Sequence, residues 1–110
     1  MDRQLERYRE IAQSIVDEYA RYKPSQGDIE LQAVCDRDFY GLISFGWNGD
    51  RRVHATIVHL RIANGKIWVE RDETEEGVTQ DLLDRGVPKE DIVLAFHHPD
   101  DRKLTDFAIA

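Results

Sequence analysis

The dipeptide Asn64-Gly65 stands between two β-branched runs, with Ile62 before it and Ile67 after it. Asn and Gly both accept the positive φ angles of a two-residue hairpin turn, so residues 53–63 and 66–70 are predicted to be adjacent antiparallel strands. Two more strands are expected upstream. Residues 39–47 place Phe39, Gly41, Ile43, Phe45 and Trp47 on one face. Residues 29–35 place Ile29, Leu31, Ala33 and Cys35 on one face and Glu30, Gln32 and Val34 on the other. Such period-two alternation marks a half-buried sheet. Asn48-Gly49-Asp50 offers a second hairpin turn, and the whole reads as an antiparallel meander.

A helix is expected on each side of this sheet in sequence. In residues 3–22, Leu5, Tyr8, Ile11, Ala12, Ile15, Val16, Tyr19 and Tyr22 recur at steps of three and four and form one apolar stripe. Lys23-Pro24-Ser25-Gln26-Gly27-Asp28 ends that helix, since proline cannot continue it. A second helix is predicted over residues 74–85. Thr74 is its cap, Glu75 and Glu76 favour its dipole, and Val78 and Leu82 face inward. Gly86 is placed to close it in the left-handed conformation, with Val87 making the accompanying apolar contact. Residues 92–96 read as a buried strand, and the tail over residues 97–110 is too apolar to be a solvated end. The predicted architecture is one α+β domain over residues 1–110: a two-layer sandwich with a mostly antiparallel sheet of about five strands, an N-terminal helix and a second helix before the last strand.

Composition narrows the function. The chain has 110 residues, 41% hydrophobic and 34% charged, which suits one folded domain. Its single cysteine, Cys35, allows no internal disulfide and points to a reducing compartment. No apolar run approaches a membrane span, so a cytoplasmic protein is expected. The net charge of −7, from 15 basic and 22 acidic residues, disfavours a general phosphate binder and favours a basic protein partner.

Motifs for chemistry are sparse. The chain has no Gly-x-Gly-x-x-Gly, P-loop or Gly-x-Ser-x-Gly elbow. Cys35, on the face of Ile29 and Leu31, reads as a small core residue. His54 and His59 are five apart on one strand, which places them on opposite faces. His97, His98 and Asp100 offer imidazole and carboxylate in one loop, a weak metal signal that also reads as a polar turn. No catalytic residue, metal or cofactor is assigned, and the chain is not expected to be an enzyme.

Three surfaces are candidates for binding. The acidic run around Asp72, Glu73, Glu75 and Glu76 is either helix-dipole complementation or a patch for a basic partner. Arg51 and Arg52, beside Trp47 at a hairpin turn, form a candidate nucleic-acid contact. Trp47, Trp68, Tyr40 and Phe45 on the strands, with Phe107 and Ile109 in the tail, form a candidate protein interface if the helices cover only one sheet face. An exposed face of this kind also makes a homodimer a candidate.

Several ordered segments resemble one known family. They include Tyr19-Ala20-Arg21-Tyr22-Lys23-Pro24-Ser25, Gly46-Trp47, Arg51-Arg52-Val53, His59-Leu60 and Asn64-Gly65-Lys66-Ile67-Trp68-Val69. Gly86-Val87-Pro88-Lys89-Glu90-Asp91-Ile92 and Thr105-Asp106-Phe107-Ala108 complete the set. Over nearly its whole length the chain resembles the XisI family, named for controlling excision of the fdxN element in cyanobacteria. Leu104 departs from the pattern, which carries an aromatic residue there. The resemblance implies a controlling factor beside a site-specific recombinase and a partner protein, XisH, which resembles endonucleases. It carries over no catalytic residues. The leading expectation is a protein partner of a XisH-like nuclease or recombinase component. The alternative is a DNA-binding specificity factor that contacts element ends through the Arg51-Arg52 hairpin.

Overall fold

The computed structural model describes residues 3–22, 27–75 and 77–110. The order of elements is α1 (Arg3–Ala20), β1 (Asp28–Asp36), β2 (Phe39–Asn48), β3 (Arg51–Ala63), β4 (Lys66–Asp72), α2 (Val78–Asp84), a 3-10 turn (Lys89–Asp91), β5 (Ile92–Val93) and α3 (Pro99–Arg102). The five strands lie in one sheet in the order β1-β2-β3-β4-β5. The first four pair antiparallel, and β5 joins β4 in parallel after the α2 crossover. The expected α+β architecture with a mostly antiparallel sheet is therefore the observed one.

The Asn64-Gly65 turn forms as predicted, with φ of 55° and 74° and the register Ile62 to Ile67. The close of α2 also follows the sequence. Gly86 adopts φ 93°, its N–H donates to the Leu83 carbonyl, and the Val87 N–H donates to the Leu82 carbonyl. That is the Schellman arrangement, and Val87 is buried beside it.

The core lies on one face of the sheet. Tyr8, Ala12, Ile15 and Val16 of α1 and Val78 and Leu82 of α2 meet Tyr40, Leu42, Val58, Leu60, Ile62, Ile67 and Val69. The helix is pinned at one end by polar contacts. The Tyr8 hydroxyl, buried in the core, donates to the Asp91 carboxylate, and Gln4 Nε2 reaches the same carboxylate at 2.9 Å. Desolvation and the adjacent Asp91 push the Tyr8 phenol above its ordinary pKa, so it stays a donor.

Four sequence expectations are corrected. First, α2 begins at Val78, not residue 74. Thr74 serves the turn before the helix by accepting from the Gly77 N–H at 3.1 Å. The first helical N–H, that of Val78, is instead met by Asp72 at 2.8 Å, from the end of β4. Second, β5 spans only Ile92–Val93, because the chain turns there and the Ala95 N–H donates back to the Val93 carbonyl. Third, Cys35 is exposed. It lies next to the last residue of the edge strand β1. Fourth, His54 and His59 share a face. His54 pairs with Phe45 and His59 with Gly41, four residues apart on β2. The register skips Ile57, so a bulge there restores the phase that the odd spacing breaks.

The tail returns to the sheet. Ala108 forms a parallel bridge with Val93 and donates to the Ile92 carbonyl at 2.9 Å. Arg102 fastens it by donating to the carbonyls of Ala95, His97 and Ile109, with its guanidinium 5.7 Å from the Trp68 ring centre. Leu104, the residue that departs from the family pattern, is 85% exposed.

Removing the Tyr8 hydroxyl leaves the Asp91 carboxylate with fewer donors at little change in shape. Tyr8→Phe is expected to destabilise the fold by about 1.5–3 kcal/mol, the scale of a hydrogen bond to a charged group. Chemical denaturation of the variant against the parent measures it.

Candidate binding surfaces

The sheet leaves two surfaces unburied among the described residues. The first is a cleft on the helix side. α1 ends at Ala20 and leaves the far ends of β1, β2 and β3 uncovered. Tyr19, Tyr22, Ile29, Leu31, Leu42, Ser44, Val53, Ile57, Thr74 and Glu75 line a cleft of about 510 Å³. The walls are mainly apolar, and Glu75 is exposed at the rim.

This cleft gathers part of the predicted acidic run. Glu75 borders it, and the Glu73 N–H donates to the Ile57 carbonyl at 2.9 Å, which holds the run beside the bulge. The four acids have different placements. Asp72 is half-buried, and its Oδ1 accepts from the Thr74 N–H and hydroxyl while Oδ2 accepts from Val78. Glu73 is exposed and pairs with Arg71 at 2.6 Å. Glu76 lies outside the described residues. The run thus combines a structural acid, Asp72, with exposed acids, Glu73 and Glu75.

The second surface is the open face of the sheet. The register puts Phe39, Ile43, Phe45 and Trp47 of β2 in its middle. Glu30, Gln32 and Val34 of β1 lie on one side, and Arg52, His54, Thr56, His59 and Arg61 of β3 on the other. Trp68, Glu70 and Arg71 of β4 continue it, with Arg61 paired to Glu70 at 3.0 Å and its guanidinium 4.8 Å from the Trp68 ring centre. Of the four strand aromatics singled out by sequence, Phe45, Trp47 and Trp68 lie on this face, while Tyr40 belongs to the core.

The basic hairpin is divided by the strand. Arg51 and Arg52 are successive residues of β3 and point to opposite faces. Arg52 shares the open face with Trp47, its guanidinium 5.5 Å from the indole centre. In the tail, Phe107 packs against the core under Lys89, and Ile109 is 53% exposed. His98 accepts from the Asp100 N–H at 3.2 Å and caps α3, while His97 stacks on Phe96. Among the described residues, no three His, Cys, Asp or Glu side chains converge to hold a metal ion.

His59 is the unusual titratable group of the open face. Its ring lies 4.4 Å from that of Phe39, which folds over Gly41, and its Nε2 is buried without a hydrogen-bond partner. Burial lowers its pKa from the ordinary 6.5, with the neighbouring Glu70 opposing that shift.

Together these features define an α+β protein with an open mixed sheet, helices packed on one face, and an opposite face that the tail's Arg102 reaches at Trp68 and that carries exposed side chains along β1–β3. Comparison with known proteins makes the assignment specific. The family model described as XisI protein matches residues 1–109, and the chain belongs to this family. Two crystal structures from Anabaena variabilis are similar. A XisI-like protein is 33% identical, with 96% of this chain and 99% of that chain covered and a TM-score of 0.89. The fdxN element excision controlling factor XisI is 40% identical, with 97% and 99% covered and a TM-score of 0.77. No match was found among curated proteins. No helix among the described residues is long and apolar enough to cross a membrane.

Two consequences are measurable. Asp72→Ala removes the acceptor for the first turn of α2 and is expected to cost about 1–2 kcal/mol, with partial recovery by Asn; denaturation monitored by far-ultraviolet circular dichroism measures both. The second concerns pH. The unfolded chain binds a proton at His59 more readily than the folded chain, so stability falls as pH drops below 6.5 toward the lowered folded value. His59→Gln is expected to flatten that part of the profile, as read from melting temperatures across pH 4.5–8 (roughly two units either side of an ordinary histidine).

Proposed function

We propose that the protein is a non-catalytic controlling factor for excision of a DNA element and that it acts by holding a protein partner, a XisH-like nuclease or recombinase component. The observation that carries this reading is the apolar cleft of about 510 Å³ with Glu75 at its rim and Glu73 held beside it. An apolar wall with an acidic edge fits an amphipathic segment whose polar side is basic. The chain's net charge of −7 favours the same kind of partner. The name of the 40% identical Anabaena protein, an excision controlling factor, supports the biological setting.

Direct DNA binding through the hairpin has less support. Arg51 and Arg52 diverge, and Arg52 faces across the sheet toward a strand that carries Asp28 and Glu30.

Co-expression with a XisH-like protein tests the proposal. The expected result is a co-purifying complex with altered nuclease activity. Glu75→Lys combined with Val53→Lys is expected to weaken it at least about tenfold, or about 1.4 kcal/mol. Failure to co-purify, or a complex indifferent to both changes, would overturn the proposal.

A further inference from the structure

We propose that the open sheet face is the interface of a homodimer whose two-fold axis runs parallel to the strands and lies over β2. The register of the first three strands carries the argument. Reading across the sheet, Asp28, Trp47 and Arg52 form one row, and Glu30, Phe45 and His54 the next. Gln32, Ile43 and Thr56 follow, then Val34, Gly41 and His59, and finally Asp36, Phe39 and Arg61. Each row has an apolar residue or glycine at its centre. In three of the five rows an acid on β1 stands level with a cation or histidine on β3. The remaining two rows are uncharged apart from His59.

Within one chain these acids do not pair with the groups level with them on β3; Arg61 pairs instead with Glu70 of β4. One strand, β2, lies between β1 and β3, so the level groups stand about 10 Å apart, twice the interstrand spacing. A second copy changes this. Rotation by 180° about an axis along β2 carries β1 of one copy over β3 of the other and keeps the level along the strand. Asp28 then faces Arg52 of the second copy, Glu30 faces His54, and Asp36 faces Arg61, with every contact made twice. Phe45 and Ile43 meet their own counterparts at the axis. Rotation about an axis across the strands would instead set β1 on β1 and oppose acid to acid. Charge therefore selects one of the two face-to-face arrangements.

The same pattern argues against a nucleic-acid platform. A stacking sheet for single strands needs aromatics within a uniformly basic groove. Here Asp28, Glu30 and Asp36 are exposed along one side of the aromatic stripe. The size is adequate. The two copies overlap over β1, β2 and β3; three strands of about ten residues give a flat footprint of about 500 Å², which side-chain relief raises toward the roughly 800 Å² per partner of a stable interface. Phe39 and Trp47, at 37% and 50% exposure, are large apolar groups that this packing would cover.

Sedimentation velocity of the full chain alone, over a concentration series, tests the proposal, with melting temperatures to confirm that each variant is folded. The parent chain is expected to be a dimer at micromolar concentration. Asp28→Arg alone, or Arg52→Asp alone, places like charges together at both symmetric contacts and should raise the dissociation constant at least about tenfold. The double variant Asp28→Arg with Arg52→Asp reverses every such contact and should restore the dimer. A parent chain that stays monomeric overturns the proposal. So does a dimer that the single reversals leave intact, or a folded double variant that fails to re-form it. If the single reversals act only on binding of single-stranded DNA or of a XisH-like protein, the face belongs to that ligand and the homodimer is excluded.

Discussion

The packing of the α1 stripe on one face of the meander is the contact on which the other elements depend. A four-stranded antiparallel sheet gains little independent stability until an apolar surface covers it. Tyr8, Ala12, Ile15 and Val16 provide that surface, and Leu42, Val58, Leu60, Ile67 and Val69 receive it. Burial of a large side chain is worth about 1.5–3 kcal/mol, so this seam outweighs any single polar contact in the molecule. The polar contacts decide position. Tyr8 and Asp91 tie the start of α1 to the turn that launches β5, so the helix, the crossover and the last strand are set by one hydrogen-bonded corner. Because α1 ends at Ala20, covering the core also leaves the cleft beside its last turn, where Tyr19 and Tyr22 line it.

Much of this was legible because its causes are local. Asn64-Gly65 and Gly86-Val87 act within a few residues, through φ and short-range hydrogen bonds, and sequence reasoning placed both. The α1 stripe was equally plain, since helical period alone sorts its faces. The failures have non-local causes. The start of α2 is set by Asp72, a strand residue six positions before the N–H it receives. The exposure of Cys35 follows from its place near the end of an edge strand, with a neighbour on one side only. The shared face of His54 and His59 depends on one skipped residue in the pairing of two strands.

The candidate surfaces were legible as residue types and less so as places. Asp72, Glu73 and Glu75 were visible as an acidic cluster, yet only the fold separates the acid that starts a helix from those that face solvent. Arg51 and Arg52 were visible as a basic pair, yet alternation along β3 sends them to different sides. The apolar cleft had no sequence signal. Ile29, Leu31, Val53 and Ile57 read as ordinary inward strand residues, and what distinguishes them is that no helix reaches far enough to finish their burial.

The bulge at Ile57 gives β3 something like a reading frame. On either side of it the strand obeys strict alternation, but the two halves are out of phase, and the extra residue lets both present their polar side chains outward. A substitution in β3 alters one position of one face. A change of length by one residue between the Asn48 turn and Ile57 would instead rephase the whole first half, turning Val53 and Ala55 outward and Arg52 and His54 toward the helices. Among sequences that share this fold, spacing in β3 is therefore under a constraint separate from residue identity, and an alignment that opens a gap there would exchange inside for outside.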